Sequence, residues 1–334
     1  MHKIVDLPVI DLHAGNPCDE ATLLKTAHGV WDALSTNGFF YIRNHGVPAD
    51  LIQRMRALYA RFFAQPLEDK LAIKGSVMRG YNTLLELAVG ADFAEDGAII
   101  HRDMCERLTV GPEIPERVRA AEPYYQTPFA QVMLPPNLWP AASSLPGFQE
   151  TALEYYRAME HLFHHLMSLI ARAADLPGEF WKPFFTRHCG ALTGIGYPEP
   201  PAELCRPDVE RMGAHEDGTM LTILYHENLA NEEGHLQIKC DGEWRAAPAR
   251  EGAFLVNIGQ LLEKITNGRL KASRHRVVMP EKPEGSHRLS IVFYCNPNHD
   301  AVFEVLSSCV PEGQKPRRFD YQAYVSEYLA KATA

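Results

Sequence analysis

The chain changes character with the period of its apolar positions. Residues 19–36 carry Leu23, Leu24, Ala27, Val30, Trp31 and Leu34 at the spacing that gives a helix one apolar face, and Gly38 stands just past the end. Pro48 opens a second predicted helix, at its first position, through Leu51, Ile52, Met55, Leu58, Tyr59 and Phe62, with Pro66 beyond. A short helix is expected to start at 66–70. The longest spans about 148–174, where Phe148, Ala152, Tyr156, Met159, Phe163, Met167, Ile170 and Ala174 form one stripe. Short β-type runs cover 8–12, 39–42 and 106–110. From about 190 to 310 such runs dominate: 221–225, 236–239, 253–257, 275–278 and 289–294. Asp241-Gly242, Glu251-Gly252, Asn267-Gly268 and Glu284-Gly285 mark turns between them. Short strands at this pitch predict a sandwich or jelly roll. Pro316 leads into a last amphipathic helix at about 319–331. The expected fold is mixed α+β with a mainly β core. Regions 1–145, 146–310 and 311–334 are expected to form one compact body, since no repeat or low-complexity linker separates them.

Composition narrows the functional classes. The 334 residues are 46% hydrophobic and 22% charged, which is ordinary for a chain with a buried core. The net charge of -9 is spread without a basic cluster, against nucleic acid or an anionic membrane as partner. No run approaches the roughly 18 apolar residues of a membrane span. The N-terminal residues, with an early Asp6, are not expected to form a signal peptide. Seven scattered cysteines without a C-x-x-C pair predict a reduced, cytoplasmic protein.

The candidate chemistry lies in the β-rich half. His215-Glu216-Asp217 is followed 58 residues later (275 minus 217) by His275, then by Arg288-Leu289-Ser290. In a strand, residues i and i+2 share a face, so His215 and Asp217 can share a metal while Glu216 points away. Two imidazoles and one carboxylate with the other positions open form the facial triad of non-haem Fe(II) oxygenases. Arg288 and Ser290, again i and i+2, offer a cation and a hydroxyl to a carboxylate-bearing ligand.

Competing motifs are weaker. His101-Arg102-Asp103 is a second H-x-D that echoes a kinase catalytic loop, but no glycine-rich loop accompanies it; Gly194-Ile195-Gly196 has Glu199 where a third glycine would stand. His161 and His165 are i, i+4 on a helix but lack a third ligand. His235 reads as a turn residue and Cys295 as a buried strand thiol. Phe62-Phe63 and the Met159, Phe163, Met167 stripe read as core.

Residues 213–217, Gly234-His235-Leu236-Gln237-Ile238, Gly242-Glu243-Trp244, 254–260, 266–277 and Arg288-Leu289-Ser290 together resemble the isopenicillin N synthase-like branch of the 2-oxoglutarate- and Fe(II)-dependent oxygenases. Pro8-Val9-Ile10-Asp11, Gly38-Phe39-Phe40-Tyr41, Asn44-His45-Gly46-Val47-Pro48 and the Asn137, Trp139, Pro140 motif are similar to that family's first half. The resemblance covers nearly the whole chain. It implies a double-stranded β-helix (jelly roll) flanked by helices, and Fe(II) on His215, Asp217 and His275. It also implies 2-oxoglutarate held by Arg288 and Ser290, with Tyr197 of Tyr197-Pro198 touching its carboxylate. O2 and a small-molecule substrate would then give hydroxylation, desaturation or ring closure, with release of succinate and CO2. Leu221, Ile223, Val292 and Tyr294 are expected to line the pocket. The 80–110 segment, with Tyr81 and Arg102, and the last helix are expected at its mouth. Two alternatives remain at this stage: an Fe(II) oxidase of the same fold that uses no 2-oxoglutarate, as isopenicillin N synthase and aminocyclopropane-carboxylate oxidase are, and a silent jelly-roll binding protein.

Overall fold

A computed structural model of the chain describes residues 3–13, 19–88, 102–206, 209–227 and 235–332. In chain order the strands are β1 (Val9–Asp11), β2 (Phe39–Arg43), β3 (Gly80–Asn82), β4 (Glu106–Val110), β5 (Ala191–Tyr197), β6 (Glu210–His215) and β7 (Leu221–His226). They continue with β8 (Leu236–Cys240), β9 (Glu243–Ala246), β10 (Phe254–Ile258), β11 (His275–Val278), β12 (Arg288–Cys295), β13 (Val302–Glu304) and β14 (Arg318–Asp320). Eight form one sheet in the order β1-β2-β10-β7-β12-β5-β4-β3, and four form a second in the order β6-β11-β8-β9. The large sheet takes strands from both halves of the chain, so residues before 145 and after 190 share one hydrogen-bonded surface. The two sheets make a double-stranded β-helix.

The large sheet is apolar on both faces, which explains its unbroken hydrophobic runs. On β2, Phe40 and Ile42 pack toward the helices, while Phe39 and Tyr41 face the second sheet. The outer face is covered by the helices Glu20–Thr36, Ala49–Phe63 and Phe148–Ala173. The first is capped by Asp19, whose carboxylate accepts the Thr22 N–H. Pro48 sits at the N-cap of the second rather than at its first turn. Gly194 and Gly196 on β5 let that helix lie close: a Cβ would come within 2.2 Å of the Tyr59 ring at one and 2.8 Å of the Phe63 ring at the other.

Some elements lay beyond the sequence pattern. Three short helices, Glu116–Ala121, Pro123–Gln126 and Pro128–Met133, fill the first half. β13 and β14 pair antiparallel just ahead of the C-terminal helix Tyr321–Ala332. No described helix is long and apolar enough to cross a membrane.

Candidate metal centre and its two cavities

β6 delivers His215 as its last residue, and β11 begins with His275, which stands directly opposite His215 in the antiparallel pair. Asp217 is not on the strand, contrary to the i, i+2 expectation; the chain has already left β6. The turn 217–220 is held instead by β10 and its sequel, where the Gln260 N–H donates to the Asp217 carbonyl. The ligand atoms still converge. Asp217 Oδ1 lies 3.7 Å from His215 Nε2 and 3.9 Å from His275 Nε2.

Each of these three groups is oriented from behind. His215 Nδ1 lies 2.8 Å from the Gly213 carbonyl and His275 Nδ1 3.3 Å from the Ser273 carbonyl, so both Nδ1 atoms carry the proton and both Nε2 lone pairs point inward. Asp217 Oδ2 accepts from Thr222 Oγ1 and Asn257 Nδ2, each at 2.7 Å, which leaves Oδ1 free. Burial alone would raise the Asp217 carboxyl; the neighbouring His275 and His215 and the two hydrogen bonds outweigh it and hold the carboxyl below its usual range. Burial, then the neighbouring His215, pushes His275 down to about 4, so it is a neutral ligand at neutral pH. Phe39 packs edge-on against the His275 ring, centroids 5.5 Å apart. These donors fit a divalent cation of the kind N and O ligands share. Glu216 turns outward, where Gln260 donates to it at 2.9 Å.

Two cavities meet here. The first, about 50 Å³, lies between the sheets; its wall includes Tyr197, His275, Arg288, Ser290 and Val292. Arg288 and Tyr197 are cross-strand neighbours on β12 and β5, with the guanidinium 5.4 Å from the ring centre. Arg288 Nε is buried and has no hydrogen-bond partner among the described residues, as expected of a cation waiting for an anion. The second cavity, about 160 Å³, opens on the other side, with Arg107, Thr109, Thr193 and Asn296 in its wall. Met212, His215, Asp217 and Tyr294 line both.

The expected lining needs correction at four positions. Leu221 and Ile223 face the helical core, not the cavities. The β7–β12 register sets Val292 opposite Leu224 and Tyr294 opposite Thr222, and directly opposed residues share a face. Thr222 and Leu224 therefore line the first cavity. Tyr81 is buried away from both, and its hydroxyl donates to Glu106 Oε2 at 2.5 Å, beside Lys70 Nζ, also at 2.5 Å. It completes a buried ion pair whose disruption costs about 3–5 kcal/mol, a structural role. Arg102 is exposed and donates to the Glu86 carbonyl at 2.9 Å. The 80–110 segment does reach the second cavity, through Leu87, Arg107 and Thr109. His101 lies outside the described residues, while Asp103 is tied to Arg107.

The C-terminal helix borders the second cavity. Tyr321, Val325 and Tyr328 line the second cavity. The Tyr324 hydroxyl donates to the Gly218 carbonyl at 3.0 Å and the Tyr328 hydroxyl to the Glu216 carbonyl at 3.2 Å.

Comparison with known proteins agrees with this geometry. Residues 7–142 match the family described as non-haem dioxygenase in morphine synthesis N-terminal, and residues 188–297 match the 2OG-Fe(II) oxygenase superfamily. A 2-oxoglutarate-Fe(II) type oxidoreductase of Emericella nidulans is 30% identical over 316 residues, covering 93% of this chain and 85% of that protein. A protein of the same description from Aspergillus fumigatus is 29% identical over 97% of this chain and 91% of its own length. A full-length Neurospora crassa protein, solved as a crystal structure in complex with alpha-KG and thymine, superposes with a TM-score of 0.79 at 27% identity, covering 97% of this chain and 96% of that one. This chain belongs to the 2-oxoglutarate–Fe(II) oxygenase superfamily. It is an Fe(II)- and 2-oxoglutarate-dependent dioxygenase, an oxidoreductase.

Proposed function

We propose that His215, Asp217 and His275 hold the iron, that Arg288 and Ser290 bind the distal carboxylate of 2-oxoglutarate beside Tyr197, and that a small molecule is oxidised in the second cavity. The carrying observation is the convergence of three uncommitted ligand atoms where two cavities meet. When bound, the iron supplies oxidation of a substrate C–H bond coupled to decarboxylation of 2-oxoglutarate to succinate. The chain's own residues do the rest. Arg288 offers a planar fork to a carboxylate, and Ser290 adds a hydroxyl two residues on. His226, opposite Ser290 on β7, is pushed down to about 3 by burial and by Arg288, so it stays neutral and adds no competing charge. Phe39, Leu224 and Val292 exclude water from the first cavity. Thr222 and Asn257 fix the Asp217 carboxylate so that the open face keeps its direction. Met212 and Tyr294 stand between the two cavities, so a substrate in the second reaches the metal side of the first. A small-molecule substrate is supported by the cavity's size, about 160 Å³, and by the thymine complex of the Neurospora protein.

The test is anaerobic titration of Fe(II)-loaded protein with 2-oxoglutarate. A visible charge-transfer band that saturates at one equivalent is expected. A protein that binds iron but gives no band, or that oxidises its substrate without forming succinate, would sink this reading.

A further inference from the structure

Among the described residues the second cavity carries one fixed cation, and that cation already has a carboxylate partner. Arg107 lines the cavity beside Thr109 and Thr193, whose hydroxyls lie 3.0 Å apart. Its Nη2 donates to Asp103 Oδ2 at 2.6 Å. Asp103 is not part of the wall; its side chain is 1% exposed and sits behind the guanidinium. One edge of Arg107 is therefore committed to Asp103, and its side chain still forms part of the cavity wall. Among the described lining residues the only carboxylate is Asp217, which belongs to the metal centre.

This arrangement selects by charge. An entering carboxylate would shed its hydration to meet a cation whose charge Asp103 already compensates, so its desolvation is poorly repaid. An uncharged carbonyl oxygen needs only an N–H donor and loses far less water. A second polar group waits in the same wall: the Asn296 amide makes no hydrogen bond among the described residues, and it can donate or accept. The remaining surface is largely apolar, with Val77, Met78, Leu87, Met133 and Val325. Building on the assignment of this cavity to substrate, we propose that it takes a small uncharged molecule of amide or lactam type. The carbonyl is bound by the cavity-facing edge of Arg107 and a second polar edge by Asn296, and Asp103 enforces the preference for a neutral ligand over an anion.

Benzamide and benzoate, equal in shape and different in charge, are the probes. Calorimetric titration of the protein loaded with both Fe(II) and saturating 2-oxoglutarate, without O2, should show benzamide binding about tenfold or more tighter than benzoate, as expected where a buried charge lacks a free partner. Arg107→Lys keeps the charge pair with Asp103 but loses the fork; it should weaken benzamide about tenfold while the 2-oxoglutarate band persists. Asp103→Asn frees the Arg107 charge and should move the preference toward benzoate. The proposal is overturned if benzoate binds the wild type as well as benzamide does. It is equally overturned if Arg107→Lys leaves benzamide affinity unchanged, or if neither probe binds. The 2-oxoglutarate band is recorded separately on each protein, so its absence would count against the metal-site reading while calorimetry still decides this one.

Discussion

Among the described residues stand two clusters of the same chemical make-up: His215, Asp217 and His275 between the sheets, and Glu160, His164 and His188 on the helical side. In each, two imidazoles and a carboxylate bring ligand atoms within 4.8 Å of one another. They differ in what lies behind the rings. His215 and His275 turn Nδ1 toward carbonyl oxygens, so Nε2 is left as a bare lone pair. His188 Nδ1 instead accepts the Gly190 N–H at 3.0 Å, so the proton must sit on Nε2, and Nε2 donates it to Glu160 Oε1 at 2.6 Å. A metal there would have to displace that proton from a nitrogen whose ring partner is already an acceptor. Residue types and distances are thus insufficient to define a metal site. What separates the two clusters is the backbone group facing the far ring nitrogen.

The largest effect that could break this contrast is on iron content. His215→Ala, Asp217→Ala or His275→Ala should each reduce bound Fe(II), measured by elemental analysis, to background. His188→Ala should leave it at the wild-type level; a loss there would show the second cluster to be a metal site after all. Next comes the arm that only the first cluster possesses. Arg288→Ala should weaken 2-oxoglutarate by about 10- to 150-fold, the equivalent of the roughly 1.5–3 kcal/mol of a charge-assisted hydrogen bond, and Arg288→Lys should restore part of it. Titration of the anaerobic band reads both. The support behind Asp217 should then show as affinity alone. Asn257→Ala is expected to loosen Fe(II) about tenfold without changing its stoichiometry, as seen in competition with a chelator. The smallest effect belongs to Glu160→Gln. The His188 hydrogen bond holds the Glu160 carboxyl below its usual value, so its contribution is present at neutral pH and fades as the pH falls through that lowered value. Chemical denaturation should find a loss of about 1 kcal/mol at pH 7, small because the side chain is 31% exposed, and none in acid.

The clustering of His215, Asp217 and His275 was legible because the chemistry sought demands those residue types, and because His275 heads a clear β run. The long helix and β7, β8, β10, β11 and β12 were legible from period alone, whereas β5, β6, β9 and β13 showed no pattern that named them. Period 2 separates the two faces of β7 but does not say which is inner, and the naming of Leu221 and Ile223 failed there; the pairing of Val292 with Leu224 settles it. Asp217 stands off the strand because tertiary contacts from Gln260 and Asn257, not strand geometry, position it. Glu160 and His164 gain His188 only through folding, so a search for a third ligand along the helix could not find it. Helices of four to six residues, such as those between 116 and 133, are too short to display a stripe. Arg107 carries no local signal at all, since its importance comes from a cavity assembled from distant segments.

The two tyrosine hydroxyls of the C-terminal helix reach the carbonyls of residues 216 and 218, on either side of Asp217. The same helix lines the second cavity through Tyr321, Val325 and Tyr328, so the brace on both sides of Asp217 and one wall of that cavity are a single element. The seating of that helix and the position of the Asp217 segment are therefore joined through two hydrogen bonds rather than through the sheets.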